Sequence, residues 1–144
     1  MTASEIHDAS SLQVVLALLK ENNLPYQDIV LEGNLFVAYG DMHHEICGAG
    51  GLELYDEYSL LRSVVVAGNY RGKNSGQAIV ADLLERAKKR SVKKVYLLTE
   101  TAHDFFIKLG FKDITREAVP ERVKNSSEFT SVCPVSAACM ELEM

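Results

Sequence analysis

No apolar stretch in these 144 residues approaches the roughly 20 needed to cross a bilayer. The longest, Leu12 to Leu19 (broken by Gln13) and Val64 to Gly68, fall far short. No basic segment followed by an apolar one opens the chain, so export is not expected and the cytoplasm is the expected location. Positive charge is in deficit: 15 Lys and Arg face 20 Asp and Glu, a net charge of −5. That balance argues against nucleic acid as a partner, because such affinity rests on neutralised phosphates. Cysteine is scarce, and Cys47, Cys133 and Cys139 include no CxxC pair. An odd count without that spacing excludes a disulfide framework and a zinc knuckle as first readings. His43 and His44 are adjacent, while His7 and His103 stand alone. No HExxH or similar spacing appears, so no metal is expected.

What is present suits one globular domain over residues 1–144. Apolar residues make up 47% and charged residues 24%, ordinary values for a folded protein. A chain of this size buries about 68–70% of its unfolded surface, which makes a core without staples. Leu12, Val15, Leu16 and Leu19 recur at helical spacing, predicting a helix from Ser10 to about Glu21 capped by Ser10 or Ser11. Ala3 to His7 is expected as a short strand, and Tyr26 to Glu32 as a second short helix or a turn. Asn34–Gly40, Ile46–Tyr55 and Tyr58–Val66 read as strands whose connections are too short for anything but an antiparallel meander. Ile79, Val80, Leu83, Leu84 and Ala87 then form one face of a helix that ends in Lys88-Lys89-Arg90. Cations suit that negative end of the helix dipole. Lys94–Thr99 is a further strand, parallel to Leu60–Val66 across the intervening helix. Thr101 and Asp104 resemble a capping box for a helix running to Leu109, with Gly110 as its left-handed cap. Phe111–Thr115 and Cys139–Glu143 complete an α/β (α+β) pattern.

The segment with the most chemistry is Arg71-Gly-Lys-Asn-Ser-Gly76, between a buried strand and a helix start. Such a loop aims unpaired N–H groups and the positive helix end at one point, which suits phosphate or pyrophosphate. Gly72, Lys73, Asn74 and Ser75 would offer amides, and Arg71 and Lys73 add full charge. A solvated surface turn is the bland alternative. No Walker A loop is present, since Gly68 lies too close to Gly72 and Asn74 follows the lysine, and no GxGxxG occurs.

The segment resembles the acyl-CoA loop of the GCN5-related N-acetyltransferase (GNAT) superfamily, whose pattern is Gln/Arg-x-x-Gly-x-Gly/Ala. Arg71 and Gly76 match its ends, and Asn74 replaces its central glycine. Asparagine is, after glycine, the residue that best tolerates positive φ. Val64-Val-Val66 is similar to the superfamily's splayed fourth strand, and Phe105-Phe-Ile-Lys-Leu-Gly-Phe111 to its aromatic helix end. The tail from Glu128 to Met140, with Leu61-Arg-Ser63 and Leu97-Leu-Thr-Glu-Thr101, resembles the arsenic-resistance-associated acetyltransferases. Those are relatives of the N-acetylglutamate synthase domain. The resemblance implies a mixed sheet of six to seven strands flanked by about four helices. It also implies direct acetyl transfer from acetyl-CoA to a primary amine of a small, amino-acid-like metabolite. A non-catalytic acyl-CoA sensor or complex subunit, and a protein or peptide acetyltransferase, stay open beside it, as does a homodimer.

On that resemblance Val64, Val65 and Val66 meet the acetyl and pantetheine groups, and residues 71–76 hold the pyrophosphate. Thr99 stands where many relatives carry a pantetheine-binding asparagine; its hydroxyl is equally suited to capping the next helix. Phe106 occupies the position of a tyrosine that protonates the departing thiolate in many relatives, and it has no proton to give. Glu53 is a candidate base for the amine proton, or an exposed strand residue. Arg62 is a charge inside an apolar strand and must pair or face a cavity. A substrate carboxylate and a salt bridge to Glu53 or Glu57 are the two explanations. Cys133 either contacts the substrate, where trivalent arsenic would suit a thiol, or packs in the core.

Overall fold

The computed structural model describes residues 1–134 and 136–144, with 131 and 132 described by their backbone alone. Its centre is a seven-stranded mixed sheet, flanked by four helices. The strands are β1 (Thr2–Glu5), β2 (Leu35–Gly40), β3 (Ile46–Tyr55), β4 (Tyr58–Val66), β5 (Lys94–Thr99), β6 (Lys112–Asp113) and β7 (Ala138–Glu143). The helices are α1 (Ala9–Glu21), α2 (Ser75–Lys89), α3 (His103–Lys108) and α4 (Glu121–Lys124). The sheet order is β1-β2-β3-β4-β5-β7-β6. No helix among the described residues is long and apolar enough to cross a membrane.

The period-two alternation of the strands divides the core. Leu35, Val37 and Tyr39 point to the face covered by α2, where Ile79, Val80, Leu83 and Ala87 meet them. Phe36 and Ala38 point the other way, onto Val15 and Leu19 of α1. Beyond β4, that second face is covered by Val119 and Val123, which pack on Leu60 and Tyr96. Two local expectations shift, and a third is met in its turn alternative. Asp8, not a serine, caps α1 by accepting from the Ser11 amide at 2.8 Å. The Tyr26–Glu32 stretch forms turns without a helix. β6 keeps only two of the five residues of Phe111–Thr115, because β7 is its sole strand partner.

β2, β3 and β4 form the expected antiparallel meander. β4 pairs parallel with β5, but only from Tyr58↔Lys94 to Leu60↔Tyr96. Past that point β4 stays with β3, and β5 stays with β7 up to Thr99↔Ala138. A second irregularity lies on β4. The register slips between Ala49↔Val65 and Gly51↔Arg62, so Ser63 and Val64 together oppose Gly50. Ser63 takes up the extra residue at φ 61°, as bulges do where a strand must re-aim its side chains.

Close helix packing requires the small residues of β3. A Cβ on Gly48 would stand 2.6 Å from Ile79 Cδ1 and 2.7 Å from the Val65 carbonyl oxygen. The carbonyl belongs to β4 and cannot swing aside. Gly48→Ala is therefore expected to lower stability by about 1–3 kcal/mol in denaturant titrations. Gly68→Ala, with nothing within 4 Å of the added carbon, should stay within about 0.5 kcal/mol.

Candidate functional site

Where β4 and β5 part, a cleft of about 920 Å³ opens, within the range of about 300–1,000 Å³ usual for ligand sites. Leu61–Val66 form one wall and Leu97–Phe106 the other, with Asn22–Pro25 and the tail residues Glu128, Cys133 and Ala137 at the edges. The Ala67 amide donates to the Cys47 carbonyl at 2.8 Å. By alternation, Val65 also bonds toward β3, and the peptide groups of Val64 and Val66 face the opening. The Val66 carbonyl accepts from Arg71 Nε at 3.3 Å; the other groups on this edge have no strand partner, and a ligand with complementary dipoles satisfies them.

One end of the cleft runs into the loop before α2. Gly72 at φ 77° and Asn74 at φ 59° are both left-handed, and Asn74 is the residue before the first turn of α2. Asparagine thus keeps the backbone shape that glycine would allow. A subsidiary pocket of about 240 Å³ is lined by Arg71, Gly72, Asn74, Ser75 and Gly76, with Val66 and Phe105 beside them. Ser75 donates its hydroxyl to the Tyr70 carbonyl at 3.1 Å, fixing the turn. Lys73 lies 5.9 Å over the Tyr70 ring and outside the lining. Gly76 lines both pockets and also makes room for a helix. A Cβ there would meet the Phe105 ring at 3.2 Å, so its bareness admits α3 rather than a ligand alone.

The other end carries a buried ionic cluster. Arg62 donates through Nη1 and Nη2 to both carboxylate oxygens of Asp28, at 2.6 and 2.8 Å, and through Nη1 to Glu53 at 2.7 Å. Its Nε reaches Ser63 Oγ at 3.1 Å and lies 3.5 Å from Glu128. Burial opposes the guanidinium charge, and Asp28 and the other carboxylates more than restore it. For Asp28, burial pushes upward but the bonds from Arg62 and Ser127 prevail and hold it below the usual carboxylate range. Glu128 is the opposite case. Burial pushes its carboxyl up, Arg62 pulls it down from a distance, Glu53 and Asp28 push again, and it rests at about 7.

Of the residues the sequence singles out, Arg62, Val64, Val65, Val66, Arg71, Gly76, Thr99, Phe106 and Cys133 line the main cleft. Glu53 does not: it lies behind Arg62, buried, and accepts from the Tyr55 hydroxyl at 2.5 Å. Glu57, the other candidate partner of Arg62, pairs with Lys93 instead. Thr99 Oγ1 accepts from the Ala102 amide at 3.0 Å, and its own proton stays available to the cleft. No capping box forms, since Ala102 precedes α3 without a side-chain bond. Phe106 is buried edge-on to Phe105 and Phe111. Burial pushes the half-exposed Cys133 thiol up to about 12, so it is neutral at the cleft wall. Asp28 and Glu128 carry no signal in the sequence beyond being acidic residues in polar stretches. Among the described residues no three His, Cys, Asp or Glu side chains gather as metal ligands.

A family model described as an acetyltransferase (GNAT) domain matches residues 32–113. An uncharacterized N-acetyltransferase of Chlorobaculum tepidum is 27% identical over 112 residues, 77% of this chain and 68% of that protein. Rv2747 of Mycobacterium tuberculosis, solved in complex with CoA, superposes with a TM-score of 0.79 at 20% identity, covering 100% of this chain and 99% of that one. Tetrahymena GCN5 superposes at 0.80 with 11% identity, covering 99% and 96%. N-acetylglutamate synthase of Neisseria gonorrhoeae, complexed with coenzyme A and N-acetyl-glutamate, gives 0.77 at 12% identity. There the match covers 99% of this chain but 35% of the larger enzyme.

The ionic cluster sets an expectation for Arg62. Arg62→Ala would leave Asp28 and Glu53 buried without a cation, a loss of about 3–5 kcal/mol. Thermal melts should show the larger loss at pH 8 than at pH 5. Glu128, at about 7, adds a third negative charge only at the higher pH. A variant with native stability at both pH values would refute the structural importance of the cluster.

Proposed function

The chain belongs to the acetyltransferase (GNAT) domain family, and on that premise we propose that it moves acetyl directly from acetyl-CoA to the primary amine of a small, amino-acid-like metabolite. The observation that carries the reading is the parting of β4 from β5 between two chemically different ends. The basic loop at residues 71–76 suits the pyrophosphate. The outward peptide groups of Val64 and Val66 suit the thioester arm, where fixed dipoles stabilise charge developing on the carbonyl oxygen. The ionic end suits the acceptor. Holding both reactants along one wall turns a bimolecular encounter into an effectively unimolecular step.

A small acceptor is favoured because the tail, through Glu128 and Cys133, flanks that end and limits its length. An amino acid is favoured because Arg62 is the cation there, and Asp28, its bidentate partner, sits on a connecting segment at 15% side-chain exposure. A substrate carboxylate would take over the Asp28 position on the guanidinium fork, which fits carboxylates in pairs. The synthase complex with N-acetyl-glutamate points to the same class. All three cysteines are free, in keeping with a reducing cytoplasm. Phe106 favours a second reading, a sensor that holds acyl-CoA without turnover, because the hydroxyl many relatives use is missing.

Release of free CoA thiol, followed with acetyl-CoA against glycine, L-glutamate, L-glutamine, L-lysine and a lysine peptide, separates the readings. Turnover with an amino acid and gain of one acetyl mass is the expected result. Turnover with the peptide alone would replace the acceptor class, and CoA binding without any turnover would leave the sensor. Phe106→Tyr should change kcat by less than about tenfold, the low end of what acid catalysis provides. A larger gain would show that protonation of the leaving thiolate limits the native protein.

A further inference from the structure

An amine is protonated near neutral pH and must lose a proton before it can attack a thioester. The geometry points to Glu128 as the catalytic base that takes this proton, with Arg62 and Glu53 behind it as positioning residues; this assignment rests on the acetyltransferase reading above. Among the cluster's three carboxyl groups, only that of Glu128 lines the cleft. Glu100 and Asp104 also line it, but both are exposed, so water screens them.

Occupancy separates the three carboxylates as clearly as position does. Asp28 and Glu53 accept short bonds from Arg62, and Glu53 accepts one more from Tyr55. Among the described residues Glu128 has only the 3.5 Å approach of Arg62 Nε, beyond a good hydrogen bond. Its oxygens therefore remain available to an incoming ammonium. The residue is 4% exposed and opens a π-type turn at Glu128–Val132, anchored where the Cys133 amide donates to the Glu128 carbonyl at 3.0 Å. Such turns are often found at functional sites. The groups facing it are Arg62 of β4, Glu53 of β3, Asp28 of the segment before β2, and the neutral Cys133 thiol of its own tail. Two negative neighbours and burial raise its affinity for a proton against one cation, leaving it at about 7. A base there is partly ionised near neutral pH, and its ionised form is basic enough to accept.

The step balances simply. The acceptor R–NH3⁺ gives one proton to the Glu128 carboxylate, and the freed nitrogen lone pair forms the N–C bond to the thioester carbon. The C–S bond breaks and its electron pair leaves on sulfur. The second ammonium-type proton on nitrogen passes to the thiolate, giving amide and CoA thiol. Glu128 then returns its proton to water.

The test compares the native protein with Glu128→Gln using acetyl-CoA and an amino acid that turns over. The native kcat/KM should fall below an apparent pKa of about 7. In Glu128→Gln that limb should vanish and kcat/KM drop by about 10²–10⁴-fold, while calorimetric CoA affinity stays within about threefold. Stability supplies a second readout that needs no turnover. The folded pKa lies above the ordinary value of 4.5, so this carboxyl costs stability as pH rises from 4.5 through 7. Glu128→Gln should therefore melt higher than the native protein at pH 8 and alike at pH 5. A residue kept for structure alone predicts the reverse, a lower melting temperature at both pH values with lost CoA binding. Retention of the acidic limb, or of kcat/KM within tenfold, overturns the assignment and leaves the acetyltransferase reading intact. A native protein that binds CoA but acetylates nothing overturns both. If Glu128→Gln does not fold, Glu128→Asp decides: a folded variant with reduced kcat and the limb preserved supports the base, and one without the limb overturns it.

Discussion

Leu60 and Tyr96 are the last residues at which β4 and β5 still pair, and the site exists because the pairing ends there. Each strand keeps its other neighbour, β3 on one side and β7 on the other, so neither half of the sheet frays. The cost is a set of backbone groups left without a sheet partner, which a folded protein tolerates only where water or ligand can reach them. A continuous β4–β5 ladder would be the more stable sheet and would have no cleft. The bulge at Ser63 lies beside the split: the peptide groups of Val64 and Val66 face the opening, while the Val64 and Val66 side chains pack on the α2 side and Val65 on the α1 side.

The ionic cluster obeys a related constraint. One guanidinium faces three carboxyl groups in a nearly dry setting, so not all three can be ionised cheaply. Asp28 and Glu53 hold the close positions on Arg62, and the deficit falls on Glu128. Unequal sharing of one cation is enough to give chemically identical side chains different work. The same cluster ties β3, β4, the segment before β2 and the C-terminal tail together. Four separate segments of the chain are therefore held by one set of contacts at the edge of the cleft.

The two ends of the cleft also differ in how they are built. The loop before α2 is local: its amides, its left-handed Gly72 and Asn74 and its basic side chains come from one short run of sequence. The ionic end is assembled from four distant segments, β3, β4, the segment before β2 and the C-terminal tail.

Much of what depends on neighbours in sequence was readable in the chain itself, although the caps of α1 and α3 were not. The bounds of β3, β4 and β5 follow from alternation and turn residues, the meander from its short connections, and the Arg71–Gly76 loop from its place between strand and helix. The family resemblance rested on those same local runs. Tertiary structure alone decided the rest. It placed Glu53 behind Arg62 and off the cleft wall, brought Asp28 from an unpatterned turn onto the guanidinium, and set Gly76 against Phe105. It also buried Glu128 at the cleft wall. A carboxylate's role is set by desolvation and by which charges come within a few ångströms, and neither quantity has a period along the chain. Local geometry is written residue by residue, whereas the electrostatics of a site belong to contacts between segments that meet only when the chain has folded.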